Sequence, residues 1–179
     1  MRKKFIFLTI LFGLLFTFLF IANLLFKSGF LLSFTITMGV FAYHFVMRLL
    51  VGLFVDKIFN NNISYNKKWF KTCRFEEKIY RFLKVKRWKK YIPSYNPATF
   101  SLDNTYSQIA SATCQAELVH EIIIVLSFVP ILLSIWFGTT AVFVITSVLA
   151  ALIDLIFVIL QRYNRPRILK IKIKKENRE

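Results

Sequence analysis

Hydrophobic positions in this chain are gathered into four long runs instead of alternating with polar ones. Phe5–Phe26 carries no charge, and Phe30–Val55 is interrupted only by His44 and Arg48. Leu118–Phe137 and Thr139–Leu160 follow, the second marred by Asp154. A helix needs ~20 apolar residues to cross the hydrocarbon core of a bilayer, so each run predicts a span. The expected fold is all-α: one polytopic membrane domain over residues 1–179, spans near 5–26, 30–55, 118–137 and 139–160, and a loop over 57–115. Within that loop "FEEKIYRFLKVKRWKKYIP" places Phe75, Ile79, Phe82 and Leu83 at helical spacing. Trp88, Tyr91 and Ile92 extend the stripe and Pro93 stops it. A basic amphipathic helix rich in aromatics suits the headgroup layer. "FNNNIS" and "IPSYNPATFSLDN" read as loops. A further helix should start near Asp103 or Asn104 and run into the third span.

Composition adds a tension. More than half of the 179 residues are apolar, yet the net charge is +16. A soluble domain of this size does not combine the two; lipid-embedded spans with basic margins do. Three of the lysines and arginines precede the first span, twelve lie between Lys57 and Lys90, and eight follow from Arg162. The positive-inside rule then puts both termini and the middle loop in the cytoplasm, at the cell membrane. Cys73 and Cys114 face a reducing compartment and are expected as free thiols. The first run is too long, and its flank too poor in small residues, for a cleaved secretory signal. Basic residues interleaved with aromatics also occur in nucleic-acid binders, but no base-reading module is present, so no nucleic-acid partner is expected.

Several polar residues sit where lipid disfavours them. Arg48 and Asp154 each lie seven residues inside a cytoplasmic span end, ~10 Å deep at ~1.5 Å per residue. Equal depth and opposite charge make them a candidate pair, with His44 one turn from Arg48. They would lock two helices together or line a path for a transported solute. At the entrance to the third span, Glu117 and His120 are three apart and Glu121 follows. On a helix these share a face, where a carboxylate could orient an imidazole serving as a base. The alternatives are a helix start with incidental polar groups, or half of a di-metal site. The latter needs a second Glu-x-x-His that the chain lacks, so no metal is expected. Past the fourth span, "QRYNRPR" sets Arg162, Asn164, Arg165 and Arg167 around Pro166, which should break the helix and splay the guanidiniums. Such a cluster either stops transfer through the membrane or binds phosphate.

"FLKVKRWKKYIP", "AELVH" and "QRYNRPR" together closely resemble the glycosyl-4,4'-diaponeurosporenoate acyltransferase family, over about residues 67–169. The resemblance implies a multi-pass O-acyltransferase of the plasma membrane, active in carotenoid or glycolipid synthesis. It would move a fatty acyl group from an acyl thioester, acyl-CoA or acyl carrier protein, to a hydroxyl of a lipid-soluble, sugar-bearing acceptor. His120 would serve as base with Glu117 orienting it, Arg165 and Arg167 would hold donor phosphates, and no cofactor would stay bound. Where the family often has a glutamate and an arginine ahead of the Ala-Glu pair, this chain has Ala112 and Gln115, so no role carries over to them. The competing class is a non-enzymatic membrane protein, a small transporter or assembly factor built on Arg48, His44 and Asp154.

Overall fold

The computed structural model describes residues 2–92, 101, 104–138 and 140–178. Its long elements are α1 (Arg2–Phe26), α2 (Gly29–Phe59), α5 (Tyr106–Leu126) and α7 (Thr140–Glu176); between them lie the short α3 (Arg74–Phe82), α4 (Val85–Trp88) and α6 (Ser134–Phe137). No strand occurs among the described residues. Four segments are long and apolar enough to cross a membrane: Lys3–Phe26, Gly29–Phe59, Tyr106–Phe137 and Thr140–Glu176. The predicted all-α, four-span class is therefore found. Asp103, Pro93, Thr139 and most of the predicted "IPSYNPATFSLDN" loop lie outside the described residues.

Chain contacts group into two compact units, one of Met1–Gly52 with Ile123–Ile153, the other of Leu53–Ile122 with Asp154–Glu179. In the first, α1 and α2 zip together through phenylalanines: Phe12 meets Phe41 and Phe45 with ring centroids 5.6 and 4.9 Å apart. Gly39 lets the Phe16 ring come so close that a Cβ there would lie 2.9 Å from it. Thr35 Oγ1 donates across the helices to the Leu19 carbonyl at 3.1 Å, and Tyr43 OH donates to Leu126 O at 2.9 Å. Arg48 donates to the carbonyls of His44 and Ala150. Outward positions carry the bulk of the grease: Phe7, Leu14, Phe18 and Leu25 are each more than 60 % exposed, while Thr35, His44, Ser127 and Ser147 are buried. Apolar side chains outside and polar contacts within are the arrangement that a lipid solvent favours.

The second unit departs from expectation in four places. The predicted interfacial helix is broken: α3 ends at Phe82, Lys84 adopts a left-handed conformation (φ 50°), and α4 and a 3-10 turn (Lys89–Tyr91) continue in a new direction. Contact with α7 dictates the break. Tyr80 and Val85 are buried against Tyr163, with Trp88 and Ile159 beside them, whereas the predicted stripe residues Phe75 and Phe82 stay 70 % and 85 % exposed. The cap of α5 is Thr105, whose Oγ1 accepts from the Gln108 N–H at 3.3 Å while Gln108 Oε1 accepts from the Thr105 N–H at 2.9 Å. That reciprocal pair is a capping box. Pro166 stays inside α7, which continues ten residues past it, so the arginines around it keep helical spacing. The 37-residue α7 is ~55 Å long at ~1.5 Å per residue, well beyond a bilayer core.

In the first unit, the third predicted span holds its own interruption. α5 stops at Leu126 and the chain tightens into a 3-10 turn over Val129–Leu133, because Pro130 has no N–H to continue the α ladder. Gly138, at φ 66° and ψ −143°, makes the reversal before α7 in a conformation that side chains disfavour.

Cys73 is exposed and Cys114 is buried. Both are free thiols, as expected, but packing of Cys114 with Ile63 and Phe70 leaves only Cys73 accessible among them. Native, detergent-solubilised protein should therefore take up one maleimide per chain, at Cys73, and a second only on unfolding. Mass spectrometry of the labelled protein checks this, and Cys73→Ser should abolish native labelling.

Candidate active site

The three polar neighbours at the third span meet four partners, all within the second unit. Glu117 is wholly buried and accepts from two arginines: Arg162 Nη1 reaches Oε1 at 2.6 Å, and Arg165 Nη2 reaches Oε2. Glu121 accepts from Trp69 Nε1 at 2.9 Å. His120 turns instead to Asp154, Nδ1 to Oδ1 at 2.8 Å. As residue numbers rise along α5 (113, 117, 120) their partners on α7 fall (165, 162, 154), so the two helices run antiparallel.

The arginine node is nearly saturated. Arg162 lays Nε and Nη2 across both oxygens of Glu76, at 3.1 and 2.7 Å, and its remaining N–H groups serve Glu117 and the carbonyls of Trp69 and Lys71. Arg165, buried, donates to Thr113 Oγ1 at 2.9 Å, to Phe70 O at 2.8 Å and to Glu117. Two guanidiniums face two carboxylates, so the charges cancel where desolvation would punish an excess. The node ties α5 and α7 to α3 and to the 3-10 turn Lys68–Phe70. Arg162 and Arg165, expected to hold substrate, are thus occupied by the protein itself. Glu117, expected to orient His120, anchors arginines.

The histidine has a different setting. The Asp154 side chain is 3 % exposed and that of His120 22 %. An ionised Asp154 accepts from Nδ1–H, leaving Nε2 as the basic nitrogen of the ring. Phe157 stacks flat against the imidazole, centroids 4.8 Å apart and planes 10° off parallel. A carboxylate on one edge and an aromatic on one face fix the ring's tautomer and tilt, which is what a general base requires.

Asn164 and Arg167 make contacts of their own. Asn164 accepts from Lys89 Nζ at 3.0 Å. Arg167 is exposed, lies 3.5 Å above the Tyr163 ring and donates to the Tyr163 carbonyl. His44 and Arg48 belong to the first unit. Gln115 spans Asp56 and the Asn61 N–H, closing the turn after α2, and Ala112 is core. Glu76, Trp69 and Thr113 are members of the node that the spacing did not single out; the acidic pair in "RFEEK", rare carboxylates in a basic loop, was the available signal. Among the described residues no group of three or more His, Cys, Asp or Glu side chains is placed to hold a metal ion.

Residues 66–173, more than half of the chain, match the family described as glycosyl-4,4'-diaponeurosporenoate acyltransferase. The chain belongs to that family. The match encloses the arginine node and the His120–Asp154 dyad and leaves out His44 and Arg48. No curated protein and no solved structure gives a significant match.

Removing the shared carboxylate leaves the buried Arg165 guanidinium without a counter-charge and leaves Arg162 with Glu76 alone, a change that costs about 3–5 kcal/mol in comparable settings. Glu117→Gln should therefore lower the thermal midpoint of the detergent-solubilised protein far more than Glu121→Gln, whose lost partner is a neutral indole. Glu76 supplies a pH test. Burial works against its charge, but hydrogen bonds from Arg162 and Tyr80 prevail and hold its carboxyl below the ordinary value. A depressed folded-state value gives stability that is present above the unfolded carboxylate range, near ~4.3, and lost as pH falls through the folded value. The acid limb of the stability curve should flatten in Glu76→Gln; an unchanged limb would count against the assignment.

Proposed function

We propose that this protein is a membrane-bound O-acyltransferase, and that the His120–Asp154 dyad is its general base. The carrying observation is the 2.8 Å contact between Nδ1 and the buried carboxylate, with Phe157 fixing the ring plane. His120 Nε2 takes the proton from an acceptor hydroxyl as the oxygen attacks the carbonyl carbon of an acyl thioester. The tetrahedral intermediate collapses, the C–S bond breaks, and the thiolate leaves with the proton from the imidazolium. The products are an ester and a free thiol, and Asp154 steadies the imidazolium while it exists. The donor is acyl-CoA or acyl carrier protein, and the acceptor a lipid-linked sugar or glycosylated carotenoid-like molecule held by the bilayer.

Basic residues crowding the loop and the end of α7 support a cell-membrane location with both termini in the cytoplasm, where a water-soluble donor meets an oil-soluble acceptor. A transporter built on Arg48, His44 and Asp154 gains no support from the family match, which omits the first two.

His120→Ala should lower transfer of a labelled acyl group by ~10²–10⁴ while leaving the thermal midpoint near that of the wild type. Asp154→Asn should also lower the rate, because a neutral amide no longer selects the reactive tautomer. Activity retained in His120→Ala would overturn the dyad. A cellular glycolipid profile unchanged by loss of the protein would count against acyl transfer, and sensitivity at Arg48 and His44 alone would favour transport.

A further inference from the structure

The chain has a second concentration of charge that the arginine node does not absorb. A cleft of about 680 Å³ opens between the α3–α4 corner and the C-terminal part of α7. Arg81, Lys84, Lys86, Arg87, Arg167 and Lys170 line it beside Arg162, which the node already engages; among the described residues Glu77 is the one carboxylate in the lining. Among the described residues, no salt bridge engages any of these six cations.

Two features say that this is built rather than incidental. The corner turns at Lys84 in the left-handed region, φ 50° and ψ 39°, a conformation that a residue with a side chain seldom adopts. That one turn brings Lys84, Lys86 and Arg87 around to the lining that Arg81 reaches from the preceding helix. Tyr163, a buried lining residue, carries Arg167 on its face at 3.5 Å and so fixes a guanidinium at the edge of the cleft. Crowding of cations is also felt just outside: burial, Arg167 and Lys86 together push the Lys89 ammonium below its ordinary value. An anion in the cleft would relieve that repulsion.

We infer that this cleft is a binding site for a phosphate-rich anion, and that its occupant is the nucleotide head of the acyl donor. The identity of the occupant rests on the acyl-transfer reading; the phosphate chemistry does not. Guanidiniums and ammoniums in a concave site match the diphosphate and phosphomonoester groups of coenzyme A. The volume falls in the range of ~300–1,000 Å³ typical of small-molecule sites, whereas a carrier protein would dock on a broad convex or flat charged face. It also supplies what Arg162 and Arg165 cannot, since their donors are turned inward.

The test uses full-length protein in an uncharged detergent, with thermal shift and equilibrium binding as readouts and no turnover required. Coenzyme A and inorganic pyrophosphate should each raise the midpoint, while pantetheine, which lacks the nucleotide phosphates, should not. The double variant Lys86→Glu, Arg87→Glu should bind coenzyme A at least tenfold more weakly with its own midpoint unchanged. His120→Ala should bind as wild type does, separating this site from the chemistry. Equal binding of coenzyme A by wild type and double variant, or equal binding of pantetheine, would overturn the site. Protection by phosphatidylglycerol-doped micelles or by acyl carrier protein, without any by coenzyme A, would overturn the assignment to a nucleotide head.

Discussion

One buried carboxylate shared by two arginines sets the geometry of the second unit. Glu117 is fully inside, and each of its oxygens meets a different guanidinium of α7, so α5 cannot slide or rotate against α7 without stripping a charge bare. A buried ion pair contributes little net stability over a well-packed apolar equivalent, but it penalises every wrong register heavily. With Glu117 locked, His120 lies one turn further along α5 and points at the stretch of α7 where Asp154 and Phe157 wait. The placement of His120 against Asp154 thus depends on the node.

The same node explains why a segment outside the long helices can be held firmly. Arg162 reaches Glu76 and the carbonyls of Trp69 and Lys71, and Arg165 reaches Phe70 O. Without them the segment would depend on its small apolar clusters around Phe70 and Tyr80. Guanidinium forks satisfy several carbonyls at once, an economy of donors that lysine lacks. Placing the segment beside α5 and α7 then sets the Trp69 indole on Glu121 and orders the corner at Lys84.

Legibility in the sequence followed the range of the cause. The four spans were plain because an uninterrupted apolar run is a local property, and the adjacency of Glu117, His120 and Glu121 followed from helical spacing alone. Their partners were not legible: Asp154 stands 34 positions from His120, and nothing local marks it as a histidine's acceptor. Lys84 looked like one more helical lysine, since its left-handed turn is imposed by Tyr80 and Val85 seeking Tyr163. The prolines misled in both directions. α7 absorbs Pro166 without the break its ring predicts, whereas Pro130 does interrupt the third span.

Charge allocation ties the two sites together. Nine acidic residues face twenty-five basic ones, so most cations must do without a carboxylate. Glu76 and Glu117 neutralise the arginines that are buried, Asp154 serves the imidazole, and Asp56 and Glu121 accept from a glutamine and a tryptophan. That distribution follows desolvation: a guanidinium removed from water needs a counter-charge, and one left in a hydrated cleft does not. Among the described residues, the cations around the Lys84 corner have no carboxylate in an ion pair, and they are correspondingly ready to exchange water for phosphate. Inward arginines hold the scaffold and outward ones remain open to a ligand, a division decided by where the few carboxylates fall.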